Sequence, residues 1–477
     1  MIISESLARA LASTREELHA RANVVATGIG YKVSDGVRTD DAAREGASGD
    51  KWFARSLPDV VVFPRSTAAV SGVMKIAARE KIPVTTRGAA HGYVGGCVPV
   101  RGGIVLAMER MNRIKEISAA DFVAVVEPGV VTGKLQAEAR RQRLFYAPDP
   151  ASLKDCFIGG NIATNAGGPR CLKYGVTRNY VLGLVVVLAD GTIARVGGRT
   201  HKNKTGFDLV GLFTGSEGML GIVTEATLRL LPLPPARAVL SAGFPDMAKA
   251  AAAVQSVFAH GYLPSDVEIA DRFTLEAARV NAKGEMPIPP GEAHLLVEAD
   301  GQEENVQSDV RSLARLLEKA CAVSVESAMG EEGCERLWAL RRGFSDSLKA
   351  TGLKKLNEDI VVPRGKLVEL VEFGAQLGRE YGVPVACFGH AGDGNIHVNL
   401  MVENADDPAT AERMEKALDA LFRGVLAMGG SITGEHGVGL AKKRWWSHAV
   451  DAGSLELHRR IKRALDPEDL LNPGKFL

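Results

Sequence analysis

The stretch Phe388–Leu400 reads FGHAGDGNIHVNL, and whether it forms one strand or two decides the architecture of the C-terminal half. His390 and His397 stand an odd number of residues apart. On one continuous strand they would face opposite sides, because strand side chains alternate with a period of two. The insert Ala391-Gly392-Asp393-Gly394-Asn395 removes the difficulty. Val383–Gly389 reads as a strand entering a turn, Asp393-Gly394 supplies the turn residues, and Ile396–Met401 returns as a second strand. Such a hairpin brings the two imidazoles together. His397 and Asn399 share one face of the return strand, Val398 and Leu400 take the other against the core, and the polar face is expected to point into a cavity.

Two histidines beside a turn are often no more than satisfied polar groups. A second cluster downstream, Thr433-Gly434-Glu435-His436-Gly437-Val438-Gly439, sets an adjacent Glu and His between glycines. Two neutral imidazoles and a carboxylate (His390, His397 and Glu435) suit a divalent metal, zinc, manganese or iron, and leave positions open for a substrate.

Outward from this stretch, composition narrows the classes. The 477 residues carry 58 basic and 57 acidic side chains, with no basic block of the kind that marks a nucleic-acid footprint. A small-molecule partner is therefore expected. No run approaches a membrane span and the N-terminus lacks a signal-peptide core, which points to the cytoplasm. Cys97, Cys156, Cys171, Cys321, Cys334 and Cys387 form no Cys-x-x-Cys pair, against a disulfide framework or a built-in iron–sulfur cluster. Glycine is in excess, 52 residues, and it is clustered where backbone must approach something closely.

The first cluster, Arg87-Gly88-Ala89-Ala90-His91-Gly92-Tyr93-Val94-Gly95-Gly96, ends a strand–helix–strand pattern: Val60–Phe63, a helix Thr67–Glu80 with Thr67 as N-cap, and Val84–Arg87. Small residues at that position let successive N–H groups face an anion, although an ordinary loop has the same look. It is not the G-x-G-x-x-G of a Rossmann fold, so NAD is not implied. Strands Ile104–Met108 and Val123–Val126 and a helix over Thr132–Gln142 lead to a second, longer loop, Pro148–Gly168. A strand pair about Asp190-Gly191 precedes a third, Gly215–Val223. Three such loops suggest a long ligand.

In order and spacing, these loops and the ending Leu470-Leu471-Asn472-Pro473-Gly474-Lys475 resemble the FAD-binding domain of the vanillyl-alcohol oxidase / p-cresol methylhydroxylase superfamily. The C-terminal half is similar to the FAD-linked oxidase cap of its 2-hydroxy-acid branch, which holds the glycolate oxidase flavin subunit, D-lactate dehydrogenase and D-2-hydroxyglutarate dehydrogenase. The resemblance implies an α+β protein: an N-terminal helical or tether segment (1–53), a p-cresol methylhydroxylase-type FAD-binding domain (54–235), and a cap (236–477). The cap would be an antiparallel, ferredoxin-like sheet backed by helices, which the alternating strands and helices after Pro232-Leu233-Pro234-Pro235 also suggest.

Carried over by position, Arg87, Gly88, Ala89, Ala90, His91, Gly92, Gly95 and Gly96 would hold the FAD pyrophosphate. Pro148, Ser152, Gly159, Gly160, Thr164, Gly167, Gly168, Gly215, Glu217, Gly218, Gly221, Ile222, Val223 and Asn472 would line the rest of the cofactor. FAD is expected to be noncovalent, with His91 resembling the position through which some relatives attach flavin. His390, His397 and Glu435 would be the metal ligands and His436 the base at the substrate hydroxyl. Arg341 would fork onto the substrate carboxylate, with Ser345 one turn on and Asn399 beside the substrate. Where hydroxyglutarate-specific relatives have a lysine, Asn357 stands, with Lys354 and Lys355 nearby.

The expected activity is FAD-dependent oxidation of a D-2-hydroxy acid to the 2-oxo acid. The alternatives are a non-redox flavin transferase of the same superfamily, or a noncatalytic flavin subunit of an electron-transfer complex. Partners are the small 2-hydroxy acid and an acceptor, namely a quinone, an electron-transfer flavoprotein or a separate iron–sulfur subunit. A homodimer, and peripheral attachment to the inner face of a membrane through that redox partner, are both compatible.

Overall fold

The computed structural model of the protein describes residues 36–282, 286–404 and 407–477. Residues 1–35 of the expected N-terminal tether lie outside the described residues. The chain divides into two compact units: one runs to Ala166 and adds Val176–Leu233 and Glu435–Leu477, the other comprises Gly167–Gly175 and Pro234–Gly434. The units part at the proline-rich break, and Glu435–Leu477 returns to the first unit instead of staying with the cap.

In the first unit, β1 (Val37–Arg38), β2 (Val60–Val62), β3 (Val84–Arg87) and β4 (Ile104–Ala107) make a sheet of order β1-β2-β4-β3, parallel except for β1. The part of the expected tether that is described is thus built in: β1 pairs with β2, and Ser48 and Asp50 are buried. The helix Thr67–Glu80 lays Val70, Val73, Met74 and Ala77 on this sheet at helical spacing. Its N-cap is Ser66, whose hydroxyl accepts the Ala69 N–H, and not the expected Thr67, whose hydroxyl bonds Thr224 instead. Either hydroxyl can cap, and backbone geometry one residue earlier decided which did. The second sheet is wholly antiparallel, ordered β5-β6-β10-β8-β9 from β5 (Ile114–Ser118), β6 (Val123–Val126), β8 (Val181–Val187), β9 (Ile193–Gly197) and β10 (Ile222–Arg229). A small ribbon joins β7 (Leu144–Phe145) to β11 (Leu231–Pro232). The C-terminal Leu470–Asn472 docks along the free edge of β3, where the Val84 N–H donates to Leu470 and the Asn472 N–H to Val84.

The second unit is one seven-stranded antiparallel sheet. Its strands are β12 (Ala236–Phe244), β13 (Asp266–Ala270), β14 (Ala293–Gly301), β15 (Ser324–Met329), β16 (Lys354–Val361), β17 (Val385–His390) and β18 (Asn395–Val402), in the order β15-β12-β14-β13-β17-β18-β16. Helices Met247–Ala259, Glu303–Lys319, Gly330–Ala350 and Leu367–Tyr381 back it. The β17–β18 hairpin forms as its sequence implies, with four turn residues between the strands. All eight residues of β18 are buried, those on the face carrying His397 and Asn399 included. The strand lies inside the sheet between β17 and β16, and the Gly330–Ala350 helix covers the polar face. No described helix is long and apolar enough to cross a membrane.

Candidate active site

In the first unit the three glycine loops are tied to one another by backbone. A Cβ on Gly88 would lie 3.6 Å from Gly160 Cα, while Gly160 and Gly218 themselves border open space. The second loop is not all loop, since Ile158–Thr164 is helical. Gly159 is obligatory there, because a Cβ would come within 2.6 Å of the Pro128 Cβ. The third loop is hung on that helix: the Gly215 and Glu217 N–H groups donate to the Ile162 and Ala163 carbonyls, both at 2.8 Å. The Asn472 amide spans the Gly96 and Glu217 carbonyls at 2.9 and 2.7 Å, which joins the first loop to the third. Asp50 accepts the Gly96 N–H and the Gly49 carbonyl accepts from Arg87.

Side chains in this region face the fold more than a ligand. Ile222 packs into the core, and Cys156 is a buried thiol beside Thr132 Oγ1. Glu217 is buried, and its carboxylate accepts the Val438 and Gly439 N–H groups at 2.7 and 2.9 Å, fixing the turn that carries His436. Burial pushes that carboxyl's pKa up. His436 packs its ring 5.4 Å from that of Tyr93. His91 has a covered Nδ1 without a hydrogen-bond partner, and burial followed by Lys51 and Arg87 lowers its pKa. Open glycine backbone together with an orphaned imidazole nitrogen fits a flat cofactor with a pyrophosphate. Of the expected cofactor residues, Gly167 and Gly168 fall instead in the Gly167–Gly175 segment of the second unit.

In the second unit polar side chains are gathered on one face of the sheet. His390 is paired across the hairpin with Asn395 and Phe388 with His397, so both imidazoles share that face, with ring centroids 5.8 Å apart. Both are buried. His390 also sits opposite Glu268 of β13, whose carboxylate takes the His390 Nδ1 and, on its other oxygen, the Arg341 Nε. Burial drives the Glu268 pKa up, but Arg341 and His390 outweigh it and hold the group ionised, well below the usual carboxylate range. Asp266, Glu268 and His390 lie close enough together to offer a cation a second donor set.

Arg341 is clamped at Nε by Glu268 and lies 5.0 Å from the Phe388 ring. Its Nη1 and Nη2 make no hydrogen bond to another described residue. Ser345 accepts from Lys355 Nζ at 2.8 Å, and burial lowers that lysine to about 8. Asn399 donates to the Ala386 and His397 carbonyls, leaving its buried Oδ1 without a partner. Asn357, directly across from Asn399, also has an unpartnered buried Oδ1. Asp359 takes Asn395 on one oxygen, and on the other Thr433 Oγ1 and the Gly434 N–H, one peptide bond before Glu435.

Sequence reading missed Glu268, Asp266, Glu298 and Asp359. The sequence of β13, DVEIA, shows only two carboxylates at a spacing of two, and it is the structure that buries the strand throughout. The Gly330–Ala350 helix contributes Trp338, Arg341 and Ser345 from one face to this layer, with Trp338 Nε1 donating to the buried Glu298 at 2.6 Å. Two imidazoles, with carboxylates behind them and unpartnered amide oxygens nearby, fit a divalent cation.

Comparisons with known proteins place the chain in a family. Residues 58–197 match the FAD binding domain family, and residues 233–476 match the family "FAD linked oxidases, C-terminal domain". The glycolate oxidase subunit GlcD of Bacillus subtilis is 39% identical over 424 residues, covering 88% of this chain and 89% of that protein. The D-lactate dehydrogenase of Archaeoglobus fulgidus is 37% identical over 418 residues, covering 88% and 91%. Among solved structures, p-cresol methylhydroxylase with substrate bound superposes with a TM-score of 0.77 at 19% identity, covering 100% of this chain and 97% of that one. The last likeness establishes the p-cresol methylhydroxylase-type fold.

Proposed function

The chain belongs to the FAD linked oxidases, and from that premise we propose that it oxidises a D-2-hydroxy acid to the 2-oxo acid, with glycolate and D-lactate the leading candidates. What best supports the reading is the pair of buried imidazoles on adjacent strands, one of them, His390, connected through the Glu268 carboxylate to a guanidinium. A 2-hydroxy acid presents a carboxylate next to a hydroxyl, and these are the two groups such a layer can grip.

Bound FAD supplies the hydride acceptor, and a divalent cation supplies a Lewis acid for the substrate oxygen. His390, His397 and Glu435 would hold that cation. Arg341 binds the substrate carboxylate through Nη1 and Nη2, a planar fork that matches two oxygens. Ser345 and Asn399 border the substrate, and His436 takes the hydroxyl proton, which leaves near neutral pH only to a placed base. The glycine loops named above hold FAD largely through backbone, noncovalently, with His91 the position from which a covalent link would come. The acceptor of the electrons would be a separate one: a quinone, an electron-transfer flavoprotein or an iron–sulfur subunit. The relatives named as glycolate oxidase subunits favour a complex.

Anaerobic mixing of the FAD-loaded protein with glycolate, D-lactate, L-lactate and D-2-hydroxyglutarate tests the reading. Bleaching of the flavin by at least one D or achiral 2-hydroxy acid, suppressed by a strong chelator, is expected. A flavin that stays oxidised with all of them overturns the function, and chelator-insensitive bleaching overturns the metal.

A further inference from the structure

Glu268 has no place in the chemistry above, yet it is 1% exposed and touches two of its groups. It projects from β13 at the position paired with His390 of β17, and its two oxygens are divided between His390 Nδ1 and Arg341 Nε. A carboxylate only accepts, so both contacts are N–H donors and the proton on His390 Nδ1 is fixed in place, which makes Nε2 the ring nitrogen that carries the lone pair when the imidazole is neutral. On the other side, a guanidinium engaged through Nε is fixed in plane, with its two Nη groups pointing onward as a fork. Phe388, cross-strand to His397, closes the side of this arrangement beneath the guanidinium. One side chain therefore orients both the metal-ligand imidazole and the substrate-binding arginine.

From this we infer that Glu268 is a positioning residue that couples cation binding at His390 to substrate-carboxylate binding at Arg341. The inference rests on the proposed function. Because the link runs through one carboxylate, disturbing Arg341, which is no metal ligand, must weaken the cation site.

The test uses the full-length FAD-loaded protein stripped of metal, titrated with Zn(II) against a fluorescent chelator, with KM and kcat measured separately. Glu268→Gln, Arg341→Lys and His390→Ala are compared with the wild type, and the flavin spectrum and melting temperature report the fold. The expected result is zinc affinity lowered about 10–100-fold in Glu268→Gln and measurably, in the same direction, in Arg341→Lys. Glu268→Gln should also raise KM more than it lowers kcat. Zinc affinity that falls in His390→Ala but is unchanged in Arg341→Lys overturns the coupling alone. Unchanged affinity in His390→Ala overturns the metal reading and the coupling with it. Should Glu268→Gln not fold, the Arg341→Lys titration decides.

Discussion

The two units build their sites from different materials. In the first, the matter of the proposed cofactor site is backbone: glycines whose missing Cβ leaves room, N–H groups and carbonyls, with side chains such as Glu217 and Asn472 turned inward to brace the loops. In the second, the matter of the proposed substrate and metal site is side chains on a sheet face, among them Arg341, Ser345 and His390, each held by a neighbouring side chain. A backbone site tolerates changes of side-chain chemistry and fails when atoms are added. A side-chain site tolerates small changes of shape and fails when a charge or proton is misplaced.

The contrast can be broken most decisively at His436, a side chain carried on the first unit's glycine turn. His436→Ala should slow flavin reduction by substrate about 10²–10⁴-fold while FAD stays bound, as stopped-flow absorbance would show. Rapid reduction in that variant removes the base assignment. Gly159→Ala should do the opposite. Its Cβ meets the Pro128 Cβ at 2.6 Å, so overpacking costs about 1–3 kcal/mol, read as a lower melting temperature and lower FAD occupancy.

A third probe is pH, and it belongs to the second unit. His294 is buried, bonded to Ser241 at 2.9 Å, and held down to about 3 by burial and then by Arg341, with Glu268 opposing. The imidazole is neutral when folded and takes a proton below about 6.5 when unfolded. Its contribution is therefore complete above that value and is lost as pH falls from 6.5 towards 3, with a slope of about 1.4 kcal/mol per pH unit. Denaturant melts of wild type and His294→Gln at pH 7 and 5 should converge at the lower pH. Parallel curves would show that His294 has the same pKa in the folded and the unfolded state, and would remove its depressed folded value. The smallest effect is expected at Ser66→Ala, which removes a helix cap worth about 1 kcal/mol and should lower thermal stability without altering turnover, whereas Thr67→Ala should keep the cap.

These contrasts also explain what could be read in advance. The glycine loops are local: Arg87–Gly96 and Gly215–Val223 each advertise a close backbone approach within ten residues, and the hairpin about Asp393-Gly394 is equally self-contained. Asp266 and Glu268 send no such signal, because a carboxylate in a strand looks solvated until its neighbours are known. Glu268 meets His390 only through β13–β17 pairing and Arg341 only through packing of the Gly330–Ala350 helix. How deeply the polar face of β18 is covered was unreadable for the same reason, since alternation reports two faces and not whether a helix covers the second.

By itself the sequence determined the hairpin, the three backbone loops, the identity of two imidazoles and a Glu-His pair, and the resemblance that implied FAD. Turn chemistry and glycine φ freedom act over a few residues, so they survive in one dimension. Only the tertiary structure decided that Arg341 is clamped by Glu268, that Ser66 caps where Thr67 could have, and that the last strand-like residues brace the first loop. Those outcomes depend on register between strands far apart in the chain and on the demand that every buried charge find its partner.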